Sequence, residues 1–226
     1  MAFDGCFVTG TDTGVGKTLV SAALLHALSR QHRRVVGMKP VAAGLVAHAG
    51  QWVSEDVLAL RAASTLAVPP ALDNPVALPD AIAPHIAARR AGQAVSVADL
   101  LAAHRSLRAL VDVVVVEGAG GWRVPINEHE TLADLARAIG APVVLVVGVR
   151  LGCLNHALLT AEAIRADGLQ LAGWVANAVD PTMLCREDNI DTLRQRLPAP
   201  LLGTVPWHPD TPDARHIALQ LPSAWQ

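Results

Sequence analysis

A run of glycine and threonine between two apolar segments constrains this chain more than any other stretch: Thr9-Gly10-Thr11-Asp12-Thr13-Gly14-Val15-Gly16-Lys17-Thr18. Cys6-Phe7-Val8 before it reads as a short buried strand, and Leu19 to Leu28 after it reads as a helix rich in Ala and Leu. Small residues let the backbone turn tightly and aim successive N–H groups at one point. The helix that starts near Lys17 adds the positive end of its dipole there. A strand, loop and helix of this kind cradle phosphate, with Lys17 reaching the β- and γ-phosphates and the Thr18 hydroxyl meeting Mg²⁺. One position departs from the usual spacing: Thr11 stands where a glycine is common, with Gly10 one place earlier.

Lysine usage singles out a second residue. Of 18 basic residues only Lys17 and Lys39 are lysines, so surface cations are almost all arginine. A compact ammonium with three rotatable donors suits a moving phosphoryl oxygen better than a planar guanidinium. Lys39 follows an apolar run and precedes Pro40.

The rest of the chain alternates strand and helix. Apolar runs at 6–8, 34–38, 111–116, 143–149, 171–175 and 201–205 read as strands. Helical periodicity falls at 19–29, 97–110, 132–139, 154–167 and 183–197. Several strands are unbroken Val/Leu runs, as expected where helices cover both sheet faces. The pattern predicts one domain over 1–226: a doubly wound, mostly parallel α/β sheet of the phosphate-loop NTPase type, with ligands beyond the carboxyl ends of its strands. Residues 68–96, carrying Pro69, Pro70, Pro75, Pro79 and Pro84, read as an irregular wrapped connection.

Strand ends supply further candidates. Val113-Val114-Val115-Val116 delivers Glu117 and then Gly118-Ala119-Gly120-Gly121-Trp122. A carboxylate there is either a second support for Mg²⁺ or a solvated strand-end charge. Asp56, in Ser54-Glu55-Asp56-Val57, opens a helical stretch and reads equally as a capping acid. Asn177 offers an amide donor and acceptor to a nucleobase edge. A guanine site would carry Asn-Lys-x-Asp, and Ala178 replaces that lysine, so adenine is favoured and Asp180 alone says little for GTP.

Composition excludes other classes. A net charge of −2 with both signs scattered gives no basic surface for nucleic acid or membrane. The N-terminus lacks the features of a signal peptide, and the longest apolar run, 141–149, is too short to span a bilayer. Cys6, Cys153 and Cys185 are odd in number and far apart, pointing to a reducing cytoplasm. Cys153 pairs with no base and reads as packing. His26, His32, His104, His156 and His216 fall in helical stretches without metal spacing and read as surface residues.

Five ordered segments together resemble dethiobiotin synthetase: Gly10 to Thr18, Lys39-Pro40-Val41, Glu117 to Gly121, Gly152-Cys153-x-Asn155-His156, and Gly173-Trp174-Val175-Ala176-Asn177. The resemblance implies ATP-dependent closure of a ureido ring on 7,8-diaminopelargonate with CO₂, through a carbamate and its mixed anhydride with phosphate. It implies Mg²⁺ on Thr18, Asp56 and Glu117, and catalytic roles for Lys39 and Lys17. Nucleotide contacts are implied at Thr13, Gly14, Val15, Gly16, Lys17, Thr18, Leu19, Asp56, Glu117, Gly118, Ala119 and Gly120, with the adenine at Asn177, Pro206, Trp207 and His208. Substrate contacts are implied at Thr11, Lys39 and Ala43, and at Gly152, Cys153, Leu154 and Asn155 across a homodimer. Gly14 stands where some relatives carry Glu, and Ala43 where some carry Ser, which bears on substrate affinity more than on the phosphate machinery.

Rival classes fit less well. Partitioning and positioning ATPases place a second lysine five residues before the loop lysine, and here that residue is Asp12. A cobyrinate-type amidotransferase appends a glutaminase region, for which 226 residues leave no room. A GTP-dependent metallochaperone would need the missing base-recognition lysine.

Overall fold

Valines at consecutive positions settle on opposite faces of one sheet. Val113 and Val115 pack with Val20, Leu24, Leu25 and Leu60, while Val114 and Val116 pack with Leu107, Ala133 and Ala136. That is why the strand is apolar throughout rather than alternating.

The computed structural model describes residues 3–48 and 50–225. Met1, Ala2, Ala49 and Gln226, including the outermost residues of the 1–226 domain reading, lie outside them. In chain order the elements are β1 (Gly5–Gly10), α1 (Lys17–Leu28), β2 (Val35–Met38), β3 (Val41–Ala43), β4 (Val46–His48), β5 (Gln51–Val53), α2 (Glu55–Ala63), α3 (Pro70–Asp73), β6 (Val76–Leu78) and α4 (Pro84–Ala91). There follow α5 (Val97–Arg108), β7 (Val113–Glu117), α6 (Leu132–Ile139), β8 (Val143–Val149), α7 (Cys153–Ala166), β9 (Leu171–Ala178), α8 (Arg186–Arg196) and β10 (Leu201–Val205).

Six strands form a wholly parallel sheet in the order β10-β9-β8-β1-β7-β2. Helices α5, α6, α7 and α8 contribute to the core on one face; α1, α2 and the C-terminal segment contribute to the core on the other. The doubly wound expectation is met. Since β1 lies between β7 and β8, and β7 between β1 and β2, the carboxyl ends of β1, β7 and β2 stand side by side.

Residues 68–96 are not irregular. Pro70 and Pro84 occupy the first turns of α3 and α4, where a missing N–H costs nothing, so these prolines start helices. Between them β6 pairs in parallel with β3, Val41 opposite Val76 and Ala43 opposite Leu78. Other boundaries move for local reasons. Helix α6 matches its expected span because Thr131 and Asp134 form a reciprocal capping box. Helix α8 starts at Arg186, after Cys185 with φ 52, rather than at Met183. Strand β9 runs on to Ala178, which puts Asn177 inside it. His32 lies beyond the end of α1, His216 in a 3₁₀ turn, and His104 is buried, so the surface-histidine reading fails for His104. Its burial, with Arg108 adding to the effect, pushes its pKa down to about 4.

Candidate active site

The loop after β1 is held by its own small residues. Val15 is buried and packs so closely on Gly148 that a Cβ there would stand 2.6 Å from Val15 Cγ1. Gly16 has φ 87, and a Cβ on it would fall 2.1 Å from Asn177 Nδ2. The Asn177 amide donates to the Val15 carbonyl at 2.8 Å. Asn177 therefore clasps the loop through one amide hydrogen, a role its residue type did not reveal. Its other hydrogen and its Oδ1 carry no hydrogen bond among the described residues. Thr11 Oγ1 accepts from the Gly148 N–H at 3.2 Å, which ties the start of the loop to β8.

The two lysines are both buried. Lys17 Nζ donates to the Asp12 carbonyl at 2.9 Å. Burial first, then the nearby Lys39 charge, pull its pKa down to about 8. Lys39 Nζ lies 2.6 Å from Glu117 Oε1, 2.8 Å from Asp56 Oδ2 and 3.1 Å from the Gly118 carbonyl. Burial works against its charge, but Glu117 and Asp56 outweigh it and hold its pKa above the ordinary lysine value. Burial likewise raises Asp56, and Lys39 outweighs it, leaving that carboxyl below its usual range.

Thr18 Oγ1 lies 2.7 Å from Asp56 Oδ1 and 2.9 Å from Glu117 Oε1, so its one proton serves either carboxylate in turn. Neither acid fills the bland role open to it in the sequence. Glu117 is 1% exposed, and Asp56 turns to Thr18 and Lys39 rather than capping α2. Glu117 Oε2 is buried and has no hydrogen-bond partner among the described residues. Hydroxyl and carboxylate oxygens converging in this way suit a hard divalent cation, which takes one or two carboxylates and completes its shell with water and phosphate.

A cavity of about 820 Å³ opens over these groups. Thr13, Gly14, Gly16, Lys17, Thr18, Lys39, Asp56 and Glu117 line its polar end. Ala43, Ala119 and Gly120 continue the wall, and Ala81, Ile82, Ala83, Pro84, Val124 and Pro125 make it apolar, with Arg123 beside them. The sequence reading missed the last seven of these. Residues 123–125 follow directly on the Glu117 motif, and that contiguity was the available signal. Residues 81–84 arrive only through the pairing of β6 with β3. A second cavity of about 470 Å³ shares Thr18 and runs past Leu19 and Ala22 to Thr211 and Arg215.

Other expected site residues stand apart. Pro206, Trp207 and His208 follow β10 and line neither cavity, with Trp207 41% exposed. Gly152, Cys153, Leu154 and Asn155 form the start of α7 and do not line the large cavity of their own chain. Asn155 is exposed, whereas Cys153 is packed in the core. All three cysteines are free, and burial pushes the Cys6 thiol up to about 12, which removes it as a nucleophile.

A family model described as an AAA domain matches residues 4–215. The ATP-dependent dethiobiotin synthetase BioD of Aromatoleum aromaticum is 54% identical over 217 residues, 95% of each chain. That of Xanthomonas campestris pv. campestris is 53% identical over 222 residues, 97% of this chain and 99% of the relative. Among solved structures, chloroplast FtsY from Physcomitrella patens superposes with a TM-score of 0.56 at 16% identity, over 100% of this chain and 64% of its own. A ParA family ATPase from Chlorobium tepidum gives 0.55 at 14%, over 92% and 85%. At such identities these two speak for the fold alone.

Proposed function

The chain belongs to the ATP-dependent dethiobiotin synthetase family, and on that premise we propose that it forms dethiobiotin from 7,8-diaminopelargonate, CO₂ and ATP, releasing ADP and phosphate. The observation that carries the reading is the convergence of Lys17, Lys39, Thr18, Asp56 and Glu117 at the polar end of a cavity whose far wall is apolar. A diamino acid needs both halves: charge for the reacting end and a dry wall for its methylenes.

One substrate amine adds to CO₂ to give a carbamate. A carbamate oxygen attacks the γ-phosphorus and ADP leaves. The second amine then attacks the carbonyl carbon and phosphate departs as the ring closes. Two anions must meet in the phosphoryl step, so the protein's task is neutralisation and alignment. Lys17 and the loop N–H groups hold the β- and γ-phosphates. Lys39, charged and held from two sides, faces the transferring group. Thr18, Asp56 and Glu117 would hold Mg²⁺, and the unsatisfied Glu117 Oε2 fits that role. Bound there, the ion would supply fixed positive charge against the phosphate oxygens. The adenine is assigned to Asn177, which lies against Gly16 of the loop with its Oδ1 free among the described residues, and to the 206–208 segment after β10.

The same reading takes 1–226 as one catalytic domain in the cytoplasm, acting as a homodimer. No helix among the described residues is long and apolar enough to cross a membrane. The dimer is supported by Gly152 and Asn155 at the start of α7, exposed beside Leu151 (90% exposed) and outside their own chain's large cavity. The test of function is ADP release measured with each substrate omitted in turn. Release should require both diamine and CO₂. Undiminished hydrolysis without diamine, or stimulation by DNA or another protein, would point to an ATPase switch instead.

A further inference from the structure

Lys39 directly follows β2, the edge strand of the six-stranded sheet, where no seventh strand among the described residues satisfies its backbone. Substitutes come from two other elements. The Lys39 N–H donates to the Asp73 carbonyl at 2.7 Å, and Asn74 Nδ2 donates to the Lys39 carbonyl at 2.8 Å and to the Val76 carbonyl at 3.1 Å. Asp73 is almost fully buried, and both its oxygens accept from Arg61, Nε and Nη2 each at 2.6 Å. Arg61 stands on α2, the helix that carries Asp56. Just past its end, Ser64 Oγ accepts from the Gly37 N–H at 3.0 Å and Thr65 Oγ1 from the Val35 N–H at 2.9 Å.

We propose that Asn74 and the Arg61–Asp73 pair are positioning residues that set the Lys39 ammonium against Asp56 and Glu117. A paired, bidentate guanidinium and carboxylate is a rigid link. It ties the helix holding Asp56 to the turn that grips both backbone groups of Lys39. Ammonium and carboxylate are thus registered through the main chain as well as through their own contact. Positioning errors of about 1 Å remote from the chemistry cost on the order of 10²-fold in rate. None of the three residues touches the phosphate loop, so the loop's own hold on the nucleotide is left intact.

The proposal rests on Lys39 acting in phosphoryl transfer, and the experiment separates the two claims. Asn74→Ala, Arg61→Lys, Lys39→Ala and the Lys39→Ala/Asn74→Ala pair are compared for kcat, for KM of ATP and for thermal midpoint. Asn74→Ala should lower kcat about 10-fold and Arg61→Lys less, each with KM for ATP within about twofold. Lys39→Ala should lower kcat about 10²-fold or more, and Asn74→Ala should add nothing in that background. If Lys39→Ala retains normal turnover, the role of Lys39 is wrong. If Lys39→Ala is impaired while folded Asn74→Ala and Arg61→Lys turn over normally, or if the Asn74 loss recurs in full in the Lys39→Ala background, the positioning role is wrong. Should Asn74→Ala fail to fold, Asn74→Ser keeps a smaller polar group there and is read by the same criteria.

Discussion

Lys17 and Lys39 are less than 10% exposed and share the same carboxylates, yet they are tuned in opposite directions. Lys39 has Glu117 and Asp56 in direct contact, whereas Lys17 donates to a neutral carbonyl and feels Lys39. A lysine pulled down to about 8 loses its proton in the free enzyme just above neutrality, while an arriving phosphate favours the charged form. For the free enzyme kcat/KM for ATP should therefore fall as pH rises through about 8, because only protonated Lys17 meets the phosphates. Initial rates at low ATP across pH 6.5 to 9.5 check this, and a flat profile through pH 9 would place Lys17 elsewhere in the mechanism. Both lysines were legible from the chain because lysine is otherwise absent and the loop motif is local. Asp56 was not decidable, since its partner Thr18 lies 38 residues away and only the fold joins them.

At the scale of elements, what was legible followed from periodicity. Six strands, the sheet's parallel sense and helices on both faces all come from unbroken apolar runs alternating with helical ones. What was not legible depended on pairings with no local signal. Strand β6 is three residues long and reads as loop until β3 lies beside it. The apolar wall at 81–84 depends on that pairing, as the loop clasp by Asn177 depends on β9 lying beside β8. Helix α7 bears a prediction of its own. Its first N–H groups, with Gly152 before them and Asn155 beside them, suit a carboxylate. Asn155→Asp should set like charge against the substrate's carboxylate and raise the diamine KM, about 10-fold, with ATP affinity nearly intact. If that end serves the partner's site, mixing Asn155→Asp with Lys39→Ala protein should give activity above either parent, since mixed dimers recover one site with both native halves. Absence of recovery after verified subunit exchange would mean each chain builds its own site.

For the whole molecule, acid sensitivity should begin at His104, buried on α5. Its folded pKa of about 4 lies below the ordinary value of 6.5, so the folded state resists taking up a proton. Stability from keeping it neutral is complete above pH 6.5 and is lost as pH falls through 4, amounting to about 3 kcal/mol. Thermal midpoints of the wild type should drop through that window, and His104→Gln should flatten the drop; identical slopes would remove His104 as the cause. The sheet brings β1, β7 and β2 together at their carboxyl ends, and the central claim concerns what happens there. The most direct measurement incubates the purified protein with 7,8-diaminopelargonate, MgATP and ¹³C-bicarbonate and follows the products by mass. The account predicts one new species, the cyclic urea, heavier than its unlabelled form by the mass of the label and formed in step with ADP. ADP accumulating with the diamine unchanged, or a product that carries no label, would contradict it.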